Sequence, residues 1–451
     1  MYRSLFLLFF MLPQLLFGQT TIPLSSSAAG QSQSAPTAGQ VAPPMATPTP
    51  VRDHPAATQI SLEQAISLAL GNSPSLKAAR TQIQQNQAQE ITANLRPNPT
   101  LSADSQFVPV FTGDFSTDTL NNLQQFDIGV GYLFERGRKR QNRLQAARDT
   151  TAVTIATVAD TERTLTFNVA QQFINVLLAN STLQYALEAL NSFKETVDIS
   201  EQRYRAGDIS EGDNLKIKLQ LLQFQTDVSS ARVAKVQALG SLRQLVGYAS
   251  LPHDYDCAGD LAYQPLTASL PDLEAKALLE RPDLKAAKKG ITAANSQISL
   301  AKANGKVDIT ASGSFSHVSG ASSTSLFFSM PLPIFDRNQG EIARTKFALT
   351  QADLTAKAAE DTVLTDVTNA YEAASSNQDV VKLYVSGYLK QAQDSRDISQ
   401  YAYKGGAATL LDFLDAERSY RSTQLAYRQA LAAYMLSLEQ LRQATGTRSL
   451  P

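Results

Sequence analysis

From Leu165 onward, apolar positions recur in alternating steps of four and three. The series runs Leu165, Val169, Gln172, Val176, Ala179, Leu183, Ala186, Leu190, Phe193, Val197, Ser200 and Tyr204. Ten of these twelve are apolar or aromatic, which is the heptad seam of a helix packed along a partner helix. No Gly or Pro occurs from Arg138 to Ala206, so nothing there breaks the helix. At about 1.5 Å per residue such a helix is on the order of 100 Å long, beyond the span of a globular domain. The same register returns 198 residues later, from Val363, Val367, Ala370, Ala374, Val381, Tyr384 and Tyr388 to Ile398 and Ala402. It predicts a second long helix. Helices alone describe a coiled-coil rod.

A second periodicity argues against a rod. Phe126, Ile128, Val130, Tyr132 and Phe134 alternate with Asp127, Gly129, Gly131 and Leu133. Leu326, Phe328, Met330, Leu332 and Ile334 alternate with Ser325, Phe327, Ser329, Pro331 and Pro333. Weaker partners precede each run: Leu101, Ala103 and Phe107 in one case, Val307, Ile309, Ala311 and Phe315 in the other. Period-two patterning of this kind predicts strands with one oily and one polar face. A strand on a soluble core has the same pattern, but the helices spend their seams on one another and leave no layer to cover these faces. In an exported chain, four such strands read as part of an outer-membrane barrel.

The whole pattern occurs twice. Ser61-Leu62-Glu63-Gln64-Ala65 leading to Asn72-Ser73-Pro74 parallels Pro271-Asp272-Leu273-Glu274-Ala275 leading to Arg281-Pro282-Asp283. The copies end alike, on Leu242-Arg243-Gln244-Leu245-Val246-Gly247 and Leu441-Arg442-Gln443-Ala444-Thr445-Gly446. A duplicated unit of helix, strand pair, long helix and returning helix accounts for this. The repeats are placed at 58–250 and 266–447, joined by a linker at 251–265. Four strands cannot close a barrel, and single-chain bacterial barrels begin at about eight. Two copies give a bore filled by side chains, three give 12 strands and a wider one, so a conducting path favours at least a trimer.

Residues 1–18 read as a signal peptide, with Arg3 ahead of an apolar run that is too short to span a bilayer. Residues 19–57, rich in Ser, Pro and Ala, read as a disordered linker. Lys+Arg number 40 against 41 Asp+Glu, so nothing marks a polyanion as partner. One cysteine, Cys257, excludes an internal disulfide and Cys-rich metal sites, and three histidines leave little for a His-based one. No phosphate loop or catalytic triad occurs; the chain reads as a non-enzyme without a cofactor. His253-Asp254-Tyr255-Asp256-Cys257 holds metal-ligand types in a linker where polar residues are expected anyway. The basic run Arg136, Arg138, Lys139, Arg140 and Arg143 lies where a strand becomes a helix. Solvation or contact with anionic lipid suits it, and nucleic acid does not.

The constellation resembles the TolC-type outer-membrane efflux family from about residue 60 to 447. Met330-Pro331-Leu332-Pro333-Ile334-Phe335-Asp336-Arg337-Asn338-Gln339-Gly340 is similar to the strand-to-helix junction of its heavy-metal (CzcC-like) branch. Arg203-Tyr204-Arg205-Ala206-Gly207 and Tyr403-Lys404-Gly405-Gly406 resemble its helix-tip signature. The resemblance implies a mainly helical chain with transmembrane β, trimerising into a 12-stranded barrel continued by a periplasmic coiled-coil tunnel. It implies a passive exit duct for metal ions or drugs in the outer membrane, docked to a periplasmic adaptor and an inner-membrane pump. Many members near this branch are lipoproteins, whereas no Cys lies near the expected cleavage site here. The helix-tip turns fall at Gly207 and Gly406. Asp412 and Asp415 match the family's paired acids at the periplasmic constriction, and Asp213 and Tyr403 match positions that latch the tips. The family's basic latch residue falls at Ala408, so that ion link is lost or Lys404 replaces it. The competing class is an exported structural or adhesive coiled-coil protein, which has no use for the four strands.

Overall fold

The computed structural model describes residues 58–106, 125–318 and 320–449. The expected signal segment, the linker 19–57 and the strand position Phe107 lie outside the described residues. The first repeat comprises β1 (Thr58–Ile60), α1 (Leu62–Asn72), α2 (Pro74–Asn94), β2 (Thr100–Gln106), β3 (Gln125–Phe134), α3 (Lys139–Ala206) and α4 (Glu211–Val246). Between the repeats lies β4 (Tyr255–Cys257), and the second repeat comprises α5 (Leu270–Glu280), α6 (Pro282–Asn304), β5 (Ile309–Val318), β6 (Ala321–Ser329) and α7 (Gln339–Leu383). A π-helical turn at Tyr384–Tyr388, α8 (Leu389–Lys404) and α9 (Leu410–Thr445) complete it.

Local chemistry sets the element starts. Ser61 Oγ accepts from Gln64 N while Gln64 Oε1 accepts from Ser61 N, a reciprocal cap that opens α1. Pro74 and Pro282 open α2 and α6, where a missing N–H costs nothing.

β2, β3, β5 and β6 form one antiparallel sheet in that order. The register sets Leu101 opposite Val130, Ile128 opposite Phe315, and Ala311 opposite Phe328. Apolar residues therefore share one face across all four strands, and Ser102, Asp127, Ser312, Ser314 and Ser325 share the other. Leu101, Val130, Leu326 and Phe328 are all more than half exposed, so among the described residues nothing covers the oily face. Gly129 lies on the polar face, where an added Cβ would meet Ser102 Oγ at 2.9 Å and Gly313 O at 3.3 Å.

Two strand boundaries differ from expectation. β6 ends at Ser329, leaving Met330, Leu332 and Ile334 in an exposed connector. Pro331 and Pro333 lack the N–H that a ladder needs, which ends the strand. Val307 likewise precedes β5. The segment between the repeats also contains a strand. β4 pairs parallel with β1, Ile60 opposite Cys257, and buries Tyr255 and Cys257 in a core with Val169, Val176, Leu242 and Val246. The second repeat builds a matching core from Leu273, Ala277, Leu284, Val363, Val367 and Leu441.

α3 is a single helix of 68 residues, and its seam is buried from Leu165 to Ser200 except at the half-buried Gln172 and Leu190. Tyr204, at the end, is 39% exposed. The second long helix is not continuous. Its expected seam is buried through Val381, but Tyr388 and Ile398 are 58% and 68% exposed. Beyond the π turn the inward positions are Leu389, Ala392, Arg396, Ser399 and Tyr403, one residue later than the earlier register. A π turn takes up one inserted residue within an α-helix, and Gly387, at φ +153, absorbs the distortion. The spacing between the repeats changes accordingly, from 198 residues at Leu183 and Val381 to 199 at Gly207 and Gly406.

Candidate functional site at the helix tips

The chain reverses at two tips. Gly207 closes α3 at φ +83, and Gly406 follows α8 at φ +75, a conformation that glycine adopts without a Cβ penalty. Asp208 N donates to Arg203 O, and Ala407 N to Ala402 O, so both ends are Schellman closures. Three residues beyond each glycine stands a hydroxyl cap. Ser210 Oγ accepts from Asp213 N at 3.1 Å, and Thr409 Oγ1 accepts from Asp412 N at 3.2 Å. Asp213 and Asp412 are thus one position in two repeats.

Their surroundings differ. Asp412 Oδ2 accepts from Thr409 Oγ1 at 2.7 Å and Thr409 N at 3.2 Å. Those bonds, side chain first, hold its carboxyl below the usual carboxylate range. Asp415, one turn further, is exposed. In the first repeat the place of Asp415 is taken by Lys216, which pairs with Asp213 at 3.4 Å. The second repeat therefore presents two carboxylates where the first presents an ion pair.

Tyr403 is buried and stacks on Phe413. The Arg203 guanidinium lies 5.3 Å from the Tyr403 ring centroid, and its Nη1 donates to Tyr403 O at 2.8 Å. Burial raises the Tyr403 phenol above its ordinary pKa, against the opposing pull of Arg203. Arg203 thus ties the first tip to the second; of the two alternatives the sequence left for the basic latch, loss at Ala408 or replacement by Lys404, the structure shows Lys404 exposed. The structure brings together Arg203, Tyr403, Phe413, Leu410, Phe193 and Ile217 in one cluster. Asp412 and Asp415 lie outside it, on the surface.

Sequence reading missed a charged layer above this cluster. Arg421 pairs with Asp227 and lies 4.4 Å from the Phe224 ring centroid. Glu417 is buried; burial pushes its carboxyl up, while Arg396 and Arg421 pull it down. Its signal was readable, because Leu410, Phe413, Glu417 and Tyr420 step by three and four, which puts an acid on the seam.

Among the described residues no group of three or more His, Cys, Asp or Glu is placed to hold a metal ion. His253 Nδ1 lies 2.9 Å from Arg243 Nη1, and burial pushes the Cys257 thiol up to about 12. Of the basic run, Lys139 pairs with Asp308 at 2.6 Å and Arg143 with Glu135 at 2.8 Å. Arg136 and Arg138 are exposed.

Comparison with known proteins places this geometry. The family model described as "Outer membrane efflux protein" matches residues 65–248 and 273–447. The cobalt-zinc-cadmium resistance protein CzcC of Cupriavidus metallidurans is 26% identical over 386 residues, covering 84% of this chain and 88% of that protein. The cation efflux system protein CusC of Escherichia coli O6:H1 is 27% identical over 382 residues, 80% of each chain. A crystal structure of CusC superposes with a TM-score of 0.72 at 21% identity, covering 86% of this chain and 92% of that one.

Proposed function

Because this chain belongs to the outer membrane efflux protein family, we propose that it is the passive outer-membrane exit duct of a tripartite efflux system. Three copies would close a 12-stranded barrel and continue it as a helical tunnel into the periplasm. The observation that carries this reading is the sheet. Its register puts the oily residues of all four strands on one face, and among the described residues its two edges, β2 and β6, have no further strand beside them. Open edges demand partners, and a bilayer accepts only closed barrels or helices. Pairing β6 of one copy with β2 of the next satisfies both demands. A structural or adhesive rod leaves the sheet unexplained.

The duct performs no chemistry. An inner-membrane pump, joined through a periplasmic adaptor, supplies the energy, and the duct supplies a path. Names of the relatives point to metal cations as cargo. The tips form the resting constriction in this reading. Threefold assembly brings Asp412 and Asp415 of each copy around one axis. At about 8 Å and an effective dielectric near 20, each like-charged pair repels by roughly 2 kcal/mol. Such a ring attracts cations and is plugged by multivalent ones.

Fractionation and planar-bilayer recording test the proposal together. The protein is expected in the outer membrane, trimeric in mild detergent, with a cation-selective conductance blocked by trivalent ions. Replacing both Asp412 and Asp415 with Ala is expected to lower that selectivity and abolish the block. Recovery as a soluble periplasmic monomer overturns the duct. Unaltered selectivity in the double variant moves the constriction elsewhere.

A further inference from the structure

Resting on the outer-membrane reading above, we propose that the crevice where β3 runs into α3 binds the anionic headgroup of a phospholipid, at one junction of each chain and not at the other. The crevice has a volume of about 260 Å³ and is lined by Arg96, Tyr132, Phe134, Glu135, Lys139 and Arg140. Tyr132 and Phe134 belong to the oily face of β3, with their rings edge to face at 4.9 Å. The crevice therefore opens where the apolar belt of the sheet gives way to the helices, the level at which headgroups lie. Aromatic rings favour that level.

The charges in the crevice are unequally engaged. Glu135 is held by Arg143, and Lys139 by Asp308. Arg96 and Arg140 make no ion pair with the described residues, and Arg136, Arg138 and Lys306 are exposed beside them. Gly137 brings the last of these close, since an added Cβ there would meet Lys306 Cγ at 2.7 Å. A surplus of cations at the edge of an apolar belt complements an anionic headgroup.

The second repeat shows that the backbone does not require these cations. Asn338 precedes α7 at φ +61 as Arg138 precedes α3 at φ +58, so the two turns share one conformation. Two hundred residues on, Tyr132, Phe134, Lys139 and Arg140 become Leu332, Ile334, Gln339 and Gly340. Asparagine suits the left-handed region and arginine does not. The first junction therefore carries its arginine at a local conformational cost, and the cationic set answers to something outside the chain.

The test uses the full-length trimer in mild detergent, titrated with phosphatidylglycerol or phosphatidylcholine of identical acyl chains and read by native mass spectrometry. Wild type is expected to retain phosphatidylglycerol preferentially. R96Q/R140Q should lose about 25-fold of that preference, at roughly fivefold per cation, whereas K390Q on the distant α8 should lose none. R138N, which copies the second repeat, carries the test if the double variant fails to assemble, with a smaller loss expected. Added salt should weaken the preference as it screens the charges. Equal retention of both lipids by wild type, or an unchanged preference in the variants, overturns the site. Displacement of the lipid by inorganic phosphate would reassign the crevice to soluble anions and also overturn it. A protein that inserts into phosphatidylcholine vesicles and conducts, but shows no lipid preference, refutes the site alone. A protein that does not insert refutes the duct.

Discussion

The ring of Tyr403 lies against that of Phe413, with centroids 5.4 Å apart and planes within 9°. This stack depends on a residue inserted well upstream in the helix. The earlier seam register would turn Ala402 inward and Tyr403 aside. The π turn at Tyr384–Tyr388 advances the inward phase by one residue, and the aromatic becomes the buried one. The tip cluster and the break in the long helix are one structural fact.

Deleting Gly387 should therefore restore an unbroken helix and undo the tip. Ile398 and Ala402 would turn inward, and Tyr403 would lose its place on Phe413. The cost is expected to be about 3 kcal/mol, that of removing a buried aromatic. Chemical denaturation of the helical signal checks this, and a deletion variant as stable as wild type would show the π turn to be idle.

Tyr403 itself separates packing from polarity. Burial raises its phenol while a hydrogen bond with Ser200 opposes that rise, so Y403F should cost no more than about 1 kcal/mol, the loss of one such bond. Y403A should cost about 3 kcal/mol. Paired unfolding curves decide; a loss in Y403F comparable to that in Y403A contradicts the assignment.

Arg281 clamps the second repeat. Only 3% of its side chain is exposed, and it reaches Asp283 at 2.6 Å and Asp366 at 2.8 Å. Burial alone would raise the Asp283 carboxyl, but the hydrogen bonds and charge of Arg281 prevail and lower it. A lowered pKa contributes stability above the ordinary aspartate value, near 3.9, which is lost as pH falls through the folded value. R281M is expected to cost about 2–3 kcal/mol near neutrality, less than a fully buried pair because both acids reach solvent. The difference from wild type should narrow below about pH 4. A pH-independent difference would assign the loss to packing alone.

Glu417 should behave oppositely. Its carboxyl is raised by burial, over the opposition of Arg396 and Arg421. Stability from a raised acid is present below the ordinary glutamate value, near 4.3, and is lost as pH rises through the folded value. E417Q is therefore expected to melt higher than wild type at pH 7.5 and about equally at pH 4. A lower melting temperature at pH 7.5 would mean that the ionised Glu417 is held by its arginines.

Val176 lies fully buried on the α3 seam. V176P removes a helix hydrogen bond and adds a clash, at roughly 3 kcal/mol or more. Loss of assembled protein in the membrane fraction is expected, and normal yield would contradict the continuity of α3.

Patterns carried by single residues or short spacings were legible along the chain. Steps of four and three announced α3, alternation announced β3, and repeated glycines announced both tips. Duplication was readable because Leu242–Gly247 and Leu441–Gly446 share four of their six residues. What depended on distant pairing was not. The strand register, which puts Leu101 beside Val130 and Phe315 beside Ile128, follows from hydrogen bonds between segments far apart in sequence. The π turn escaped because a one-residue insertion leaves the composition of a helix unchanged and alters only its phase. For the same reason Arg203 went unnoticed as the tie between the tips, since its partner Tyr403 O lies 200 residues away. Local periodicity determined which elements form, because each depends on near neighbours. Tertiary structure decided which side chains meet, because burial and pairing belong to the assembled chain.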